Sequence, residues 1–219
     1  MGHARSNEAD PMFLPMFPLE IAVFPGETLP LHILEARYKQ LIIDCCDEGI
    51  TFGMPPVLGG SPARYGTRLE LTRVLRTYDN DEMDILTHGL EAFRIERFHR
   101  EAPGKLYAGG DVALIENDST SDKKLRGGVI RCFNEFRRIL RSKREAEEDD
   151  VENLSFRLAH QAGLTVVQKV TLLSMAAEND RLVFLRDHLQ KLVQELPKAL
   201  QTARKVGSNG HAKNFPRPE

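Results

Sequence analysis

The chain opens with an apolar stretch that prolines interrupt, over residues 17–35. Proline lacks a backbone N–H and restricts the residue before it, so Pro18, Pro25 and Pro30 exclude one continuous helix or a central strand here. The Pro25-Gly26 pair suits a type II turn, because proline presets φ at one central position and glycine supplies the positive φ at the next. We therefore predict short extended pieces joined by a fixed turn.

One helix and one loop are predicted directly after this opening. Apolar residues recur at helical spacing between residues 34 and 47, and Gly49 stands in the C-cap position. Residues 54–66 contain too much proline and glycine for a regular element. We expect them to form a long exposed loop.

The next stretch has the period of strands. Leu69 and Leu71 alternate with polar residues, and the phase breaks at Val74, which predicts a bulge. The acidic residues 79–82 stand where a hairpin turn is expected, and further alternation continues to residue 115. Short strands with one embedded helix indicate a small barrel or a curled sheet.

The second half is helical in pattern. A first helix begins near Ser121 or Asp122 as N-cap and continues to about residue 140. Further helices are predicted over residues 151–162, 166–177 and 180–196. The last of these carries a leucine seam against which another helix must pack, formed by Leu182, Leu185, Leu189, Leu192 and Leu196.

Composition is that of an ordinary globular protein, with 41% hydrophobic and 28% charged residues. The formal net charge of -2 gives no bulk attraction to nucleic acid or to an acidic membrane. No apolar run approaches the ~20 residues that span a bilayer, and the first ten residues lack the apolar part of a signal peptide. Three cysteines without a C-x-x-C pair predict core or half-buried thiols in a reducing compartment. We expect a cytoplasmic protein.

Several ordered motifs resemble one known family. The opening F-P-L-x-x-x-V-F-P-G-x-x-x-P-L-x-I-x-E is similar to the start of the Lon protease N-terminal, substrate-binding domain. Tyr65-Gly66-Thr67 resembles the family's V-G-T element, and residues 89–95 resemble its G-x-x-R-F-x-I element, with Ala92 where an arginine is usual. Asp180-Arg181-Leu182 resembles part of its D-x-x-x-R-L turn and final helix.

The resemblance implies an α+β fold, in which an N-terminal PUA-like pseudo-β-barrel with one embedded helix is followed by a C-terminal α-helical bundle. On this interpretation residues 1–11 are a disordered start, 12–118 the β-rich barrel, 119–197 the helical part and 198–219 a flexible tail. Residues 12–197 together correspond to one Lon N-terminal-type domain.

The same resemblance implies a binding module without catalysis. The sequence contains no G-x-x-x-x-G-K-[ST] phosphate loop, which is the backbone cradle of the ATPase in full-length Lon proteases. We expect a stand-alone, ATP-independent domain without ATPase or peptidase modules, with no catalytic residues, no cofactor and no metal. Its expected partners are unfolded or specific polypeptide segments.

The candidate peptide-binding residues lie in the predicted loop. Surface binding of peptides needs exposed apolar residues beside open backbone edges. Methionine and proline suit promiscuous contacts, although packing onto the barrel is the commoner role of such residues. Exposure below about a tenth at Met54, Val57 and Leu58 would remove this candidate site, which comprises Met54, Pro55, Pro56, Val57 and Leu58. Residues 12–17 provide a second apolar group.

Other chemistry in the sequence has simpler explanations. The acidic residues 79–84 lack the glycine and the final glutamate of an EF-hand loop, so a solvated hairpin tip is expected. His32 is expected to make a structural hydrogen bond, because base catalysis needs a positioned partner. The basic run over residues 137–144 passes directly into the acidic run 145–150, which favours a solvated helix end over an RNA-binding surface.

Two alternatives to polypeptide binding stay open at this point. PUA-like folds in other families bind RNA, which makes an RNA-binding protein one alternative, although the sequence gives no specific support for nucleic acid. An assembly or oligomerisation module is the other, since the leucine seam could support self-association.

Overall fold

The proline-interrupted opening contains an extended piece, the strand Thr28–Ile33, as its pattern predicts. A computed structural model describes residues 11–142 and 152–208. Contacts divide this part of the chain into two units, the first formed by residues 11–120 and 152–181 and the second by 121–142 and 182–208. The α+β class is confirmed, with a β-rich first half that contains one helix and a second half that is helical.

The first unit contains a six-stranded sheet with the order β2-β7-β6-β3-β1-β8 and a further pairing of β7 with β8. This second pairing closes the five strands other than β2 into a barrel, so the long strand β7 contacts three neighbours. All pairs are antiparallel except β1 with β3. The strands are β1 Met12–Met16, β2 Thr28–Ile33, β3 Phe52–Met54, β4 Val57–Leu58, β5 Ser61–Pro62, β6 Tyr65–Thr77, β7 Met83–His99 and β8 Ala108–Leu114.

The prolines of the opening occupy positions that tolerate them. Pro30 lies in β2, which is an edge strand that pairs only with β7 among the described residues. Gly26 has φ +81°, and the Glu27 N–H donates to the Phe24 carbonyl at 3.1 Å, which closes the predicted turn. The prediction of extended pieces joined by a fixed turn is confirmed.

Helix α1, Ala36–Glu48, is the predicted helix of the first half. It ends at Gly49, whose φ of +65° is the left-handed C-cap conformation that glycine adopts at low cost. Its buried face enters the main core of the barrel through Tyr38, Leu41, Ile42 and Cys45.

The prediction of a long exposed loop over residues 54–66 is wrong. Residues 57–62 form the β4–β5 hairpin, and Gly59 and Gly60 at its tip both have positive φ. Two successive residues with positive φ are what a type I′ hairpin turn needs, so the glycines that suggested a loop instead connect two strands.

The β6–β7 hairpin confirms the strand predictions. Its tip contains the acidic residues 79–82, and Asp81 has a positive φ. The register shifts between Leu71 and Arg73 and between Val74 and Arg76, which agrees with the predicted bulge.

Three helical segments complete the first unit. Helix α3 is Leu154–Ala159 and α4 is Val166–Leu173, and both are shorter than predicted. Residues 178–181 begin helix α5, Glu178–Ser208. The Phe156 ring of α3 stacks on Phe24 at 5.5 Å, and α4 lies against β6, so these helices cover the barrel.

The second unit contains helix α2, Lys123–Ile139, and the remainder of α5. The Asp122 side chain accepts a hydrogen bond from the Leu125 N–H at 2.8 Å, which confirms the predicted N-cap. Leu182, Leu185 and Leu189 of the seam are completely buried.

Helix α5 continues beyond Pro197 into the segment predicted as a flexible tail. A proline removes one backbone N–H, and the residues that follow it, such as Ala199 and Gln201, favour a helix. Residues 1–10 and 209–219, which include most of the predicted disordered ends, lie outside the described residues.

Candidate peptide-binding groove

The five candidate binding residues differ in exposure. Met54, Pro55 and Pro56 are buried, and Met54 at 0% exposure is part of the main core. Val57 and Leu58 in the β4–β5 hairpin are half-buried. The three buried residues cannot contact a ligand, so only Val57 and Leu58 remain candidate binding residues.

A shallow groove lies beside this hairpin, with a volume of about 270 Å³. Pro62, which is the strand partner of Val57, forms one side of it. The groove is lined by Pro62, Ala63, Arg64, Ile95, Glu96 and Phe98. Sequence reasoning missed this site except at the hairpin, because its two walls lie about thirty positions apart in the chain.

The groove forms where two neighbouring segments separate. Tyr65 pairs with Arg94, and the Ile95 N–H donates to the Arg64 carbonyl at 2.7 Å. Before Arg64 the chain turns into β5, which pairs with β4 and not with β7. Beyond Ile95, strand β7 continues to His99 in partnership with β8. The two segments therefore enclose a wedge-shaped space.

One edge of β7 is open within this space. Residues 97–99 pair with β8 on one side, Glu96 lies at a register shift in that pairing, and no other strand in the described part of the chain pairs with residues 96–99 on the side of the groove. An open edge presents backbone donors and acceptors to which an added strand can bind.

The side chains of the groove combine an apolar floor with charge at the rim. Ile95 and Phe98 pack against the second hydrophobic cluster of the barrel. Glu96 forms an ion pair with Arg94 at 2.6 Å. Arg64 is exposed, and no described residue forms a hydrogen bond or an ion pair with its guanidinium group.

The second apolar group is divided between core and surface. Met16 and Phe17 are buried, whereas Met12 and Phe13 are exposed on β1. The Phe13 ring lies over Gly109 of β8, where a Cβ would come within 2.3 Å of it. Only the first two residues of this group could therefore contact a partner.

The opening turn is bound to the middle of β7 at the glycine of the second motif. The Gly26 N–H donates to the Gly89 carbonyl, and the Gly89 N–H donates to the Glu27 carbonyl, both at 2.8 Å. The buried Thr67 hydroxyl donates to the Val23 carbonyl. Three motifs that are distant in sequence thus meet at one place in the barrel.

Close backbone approach explains the two motif glycines. A Cβ at Gly89 would lie 2.4 Å from the Phe24 carbonyl oxygen, and one at Gly66 would lie 2.7 Å from the Phe93 ring. Neither position has room for a side chain without movement of its neighbours.

A buried ion pair fixes the start of α5. The Arg181 guanidinium lies 2.9 Å from Glu178, and both side chains are almost completely buried. Arg181 also donates to Asn117 at 2.7 Å, and Ser155 donates to Glu178. Burial lowers the pKa of Arg181, an effect that the Glu178 carboxylate opposes. The network is closed to solvent, so it holds the helices in place and cannot meet a ligand.

His32 makes the structural hydrogen bond that the sequence predicts. Its Nδ1 lies 2.6 Å from Asp84 Oδ1, and the Tyr78 hydroxyl donates to the other oxygen at 2.6 Å. The Tyr78 hydrogen bond, followed by that of His32, lowers the pKa of Asp84. No group of three or more His, Cys, Asp or Glu in residues 11–142 and 152–208 is arranged to hold a metal ion.

Arg137, at the start of the basic run, and the cysteines have ordinary environments. Arg137 donates to the Ser142 hydroxyl at 2.9 Å, while residues 143–150 lie outside the described residues. Burial raises the pKa of the Cys45 thiol to about 12. Cys46 is exposed, which differs from the predicted burial, because it follows Cys45 on α1 and points to another side of the helix.

No helix among the described residues is long and apolar enough to cross a membrane.

Comparisons with known proteins agree on one family. Residues 13–191 match the family described as ATP-dependent protease La (LON) substrate-binding domain. The fold is similar to a crystal structure of a Lon N-terminal domain protein from Xanthomonas campestris, with 28% identity, a TM-score of 0.63 and coverage of 80% of this chain and 96% of that one. It is also similar to the N-terminal domain of the Lon protease of the Mycobacterium avium complex, with 16% identity, a TM-score of 0.61 and coverage of 82% and 98%. No curated protein matches the chain.

Proposed function

Because the chain belongs to the family of Lon substrate-binding domains, we propose that it is a non-catalytic module that binds polypeptide segments. The match over residues 13–191 is the observation that carries this proposal, since it includes both the barrel and the start of α5. The absence of a phosphate loop from the sequence supports an ATP-independent role.

The groove beside the β4–β5 hairpin supports polypeptide as the ligand. It offers apolar side chains next to an open strand edge, which is the combination that extended peptides use when they bind to sheets. Val57 borders it through its strand partner Pro62, and we include Val57 and the adjacent Leu58 in the proposed binding surface.

We propose that the protein is cytoplasmic. Cys45, Cys46 and Cys132 are all free thiols, as in proteins of a reducing compartment.

Binding of an unfolded protein tests the proposal. The full chain is titrated against a fluorescein-labelled protein that reduction and carboxymethylation of its cysteines keep unfolded, and fluorescence anisotropy is recorded. We expect saturable binding, with much weaker binding of the same protein in its native, disulfide-bonded form.

A parallel titration with a labelled single-stranded RNA tests the main alternative, which is RNA binding. Absence of binding to the unfolded protein, together with tight RNA binding that weakens steeply with salt, would replace polypeptide binding by RNA binding.

A further inference from the structure

We infer that the groove between residues 62–64 and 95–98 binds an extended peptide as an added strand on β7, and that it selects an apolar side chain followed by a carboxylate. This inference rests on the proposed function, because it names the site and the ligand chemistry of that same polypeptide binding.

The backbone geometry favours an added strand over a helix. The last bond on this side of β7 joins the Ile95 N–H to the Arg64 carbonyl, and residues 96–99 then continue without a partner there in the described part of the chain. A strand of about four residues, ~13 Å long at ~3.3 Å per residue, would fit beside this edge. Pairing of residues 97–99 with β8 on the other side already holds this part of the edge in an extended conformation, so binding of a strand needs little further ordering of β7.

The groove floor selects an apolar side chain. Ile95 and Phe98 are half-buried and rest on the second hydrophobic cluster, which fixes their positions. Pro62 and the small Ala63 form the opposite wall. An aliphatic or aromatic side chain inserted here would remove further apolar surface from water, which favours binding.

The charge at the rim selects a carboxylate. The groove is lined by one positively charged residue, Arg64, and one negatively charged residue, Glu96. The charge of Glu96 is already balanced by its ion pair with Arg94 at 2.6 Å. Arg64 is exposed without a described partner, so it is the charge available to a ligand. A planar guanidinium binds a carboxylate with two hydrogen bonds, which makes an acidic residue its complement.

Three labelled synthetic decapeptides test this inference with the full chain. The first has alternating Val and Thr with Leu-Asp at its centre, the second has Leu-Lys in place of Leu-Asp, and the third is the Leu-Asp peptide with N-methyl groups on alternate backbone nitrogens. We expect the Leu-Asp peptide to bind best and the N-methylated peptide to lose at least tenfold in affinity, because methylation removes the donors that pair with β7.

Charge reversal at Arg64, on the rim of the groove, provides the second test of this inference. Arg64→Glu should weaken binding of the Leu-Asp peptide by about tenfold and improve binding of the Leu-Lys peptide, because it exchanges attraction for repulsion. Arg73→Glu is the matched control: Arg73 is another exposed arginine without a described partner, and it lies on β6 away from the groove. This control variant should bind all three peptides as the native chain does.

The outcomes separate the site from the general function. If the native chain binds the unfolded protein but Arg64→Glu and N-methylation change nothing, this site is overturned and polypeptide binding stands. If the native chain binds neither the unfolded protein nor any peptide, both proposals fail. Reversal of peptide preference by Arg64→Glu alone supports the site.

Discussion

At the scale of single residues, glycines decide whether the opening motif can reach the barrel. Gly89 accepts and donates one backbone hydrogen bond to the turn at residues 26–27, and its missing Cβ lets the Phe24 carbonyl approach. Gly89 therefore serves both as a hydrogen-bonding partner of the turn and as the position whose lack of a side chain leaves room for the Phe24 carbonyl. Sequence reasoning identified Gly89 through the family motif, but only the structure shows which backbone atom lies against it.

Gly89→Ala should destabilise the protein by about 3 kcal/mol, at the upper end of what inserted methyl groups cost. The added Cβ would lie 2.4 Å from a backbone oxygen, which cannot move as the end of a flexible side chain can. Urea unfolding followed by circular dichroism measures the change.

Gly128→Ala serves as the control for this substitution. Gly128 lies inside α2, where the nearest atom to an added Cβ is 3.9 Å away, so alanine should stabilise the helix by up to about 1 kcal/mol. Equal effects of the two substitutions would contradict the importance of the close approach at Gly89.

At the scale of elements, polar contacts attach α1 to the barrel beside its buried apolar face. The Asp44 carboxylate accepts hydrogen bonds from the Lys105 ammonium at 2.8 Å and from the Tyr107 hydroxyl at 2.6 Å. Burial alone would raise the pKa of Asp44, but these two hydrogen bonds outweigh it and hold the pKa below its usual value of 3.8. The helix is thus anchored by a charge as well as by packing.

Asp44→Asn should lower the free energy of unfolding by about 1 kcal/mol at pH 7. The pKa of Asp44 is lower in the folded chain than in the unfolded chain, so its stabilising effect is complete above about pH 4 and disappears as pH falls through the folded pKa. The difference between variant and native protein should therefore shrink in acid, as measured by urea unfolding at several pH values.

Asp47→Asn is the control on the same helix, because Asp47 is exposed and forms no hydrogen bond or ion pair with a described residue. A constant difference between Asp44→Asn and the native protein down to pH 2.5 would show that the carboxylate charge does not stabilise the attachment of α1.

At the scale of the whole molecule, the first three leucines of the seam are not available to a second copy, while Leu192 and Leu196 are half-buried. Leu182, Leu185 and Leu189 are completely buried within the chain. This weakens the alternative in which the seam supports assembly, because buried side chains cannot also form an interface between copies.

Sedimentation equilibrium should therefore show a monomer of 24.8 kDa at concentrations up to about 100 μM, which corresponds to a dissociation free energy below ~5.5 kcal/mol. A dimer at low micromolar concentration would return assembly to consideration and would direct attention to the half-buried Leu192 and Leu196 and to exposed residues outside the seam.

Much of the fold could be predicted because local constraints determine it. A proline-glycine pair specifies its own turn, an apolar stripe that ends at Gly49 specifies α1, and alternation specifies the strands of the β6–β7 hairpin. The family was also evident from ordered motifs, and the match over residues 13–191 confirms it. The same local reasoning failed at residues 54–66, since Gly59-Gly60 is compatible both with a loop and with a tight hairpin.

The candidate site depended on contacts that no local pattern contains. The sequence by itself determined the turns, the helices, the strand-rich first half and the family. Only the tertiary structure decided that Met54 belongs to the core, that Arg181 is neutralised by a buried Glu178, and that residues 62–64 and 95–98 separate to form a groove. The physical reason is that side-chain burial and the end of strand pairing depend on which distant segments meet, and this depends on the register of the whole sheet.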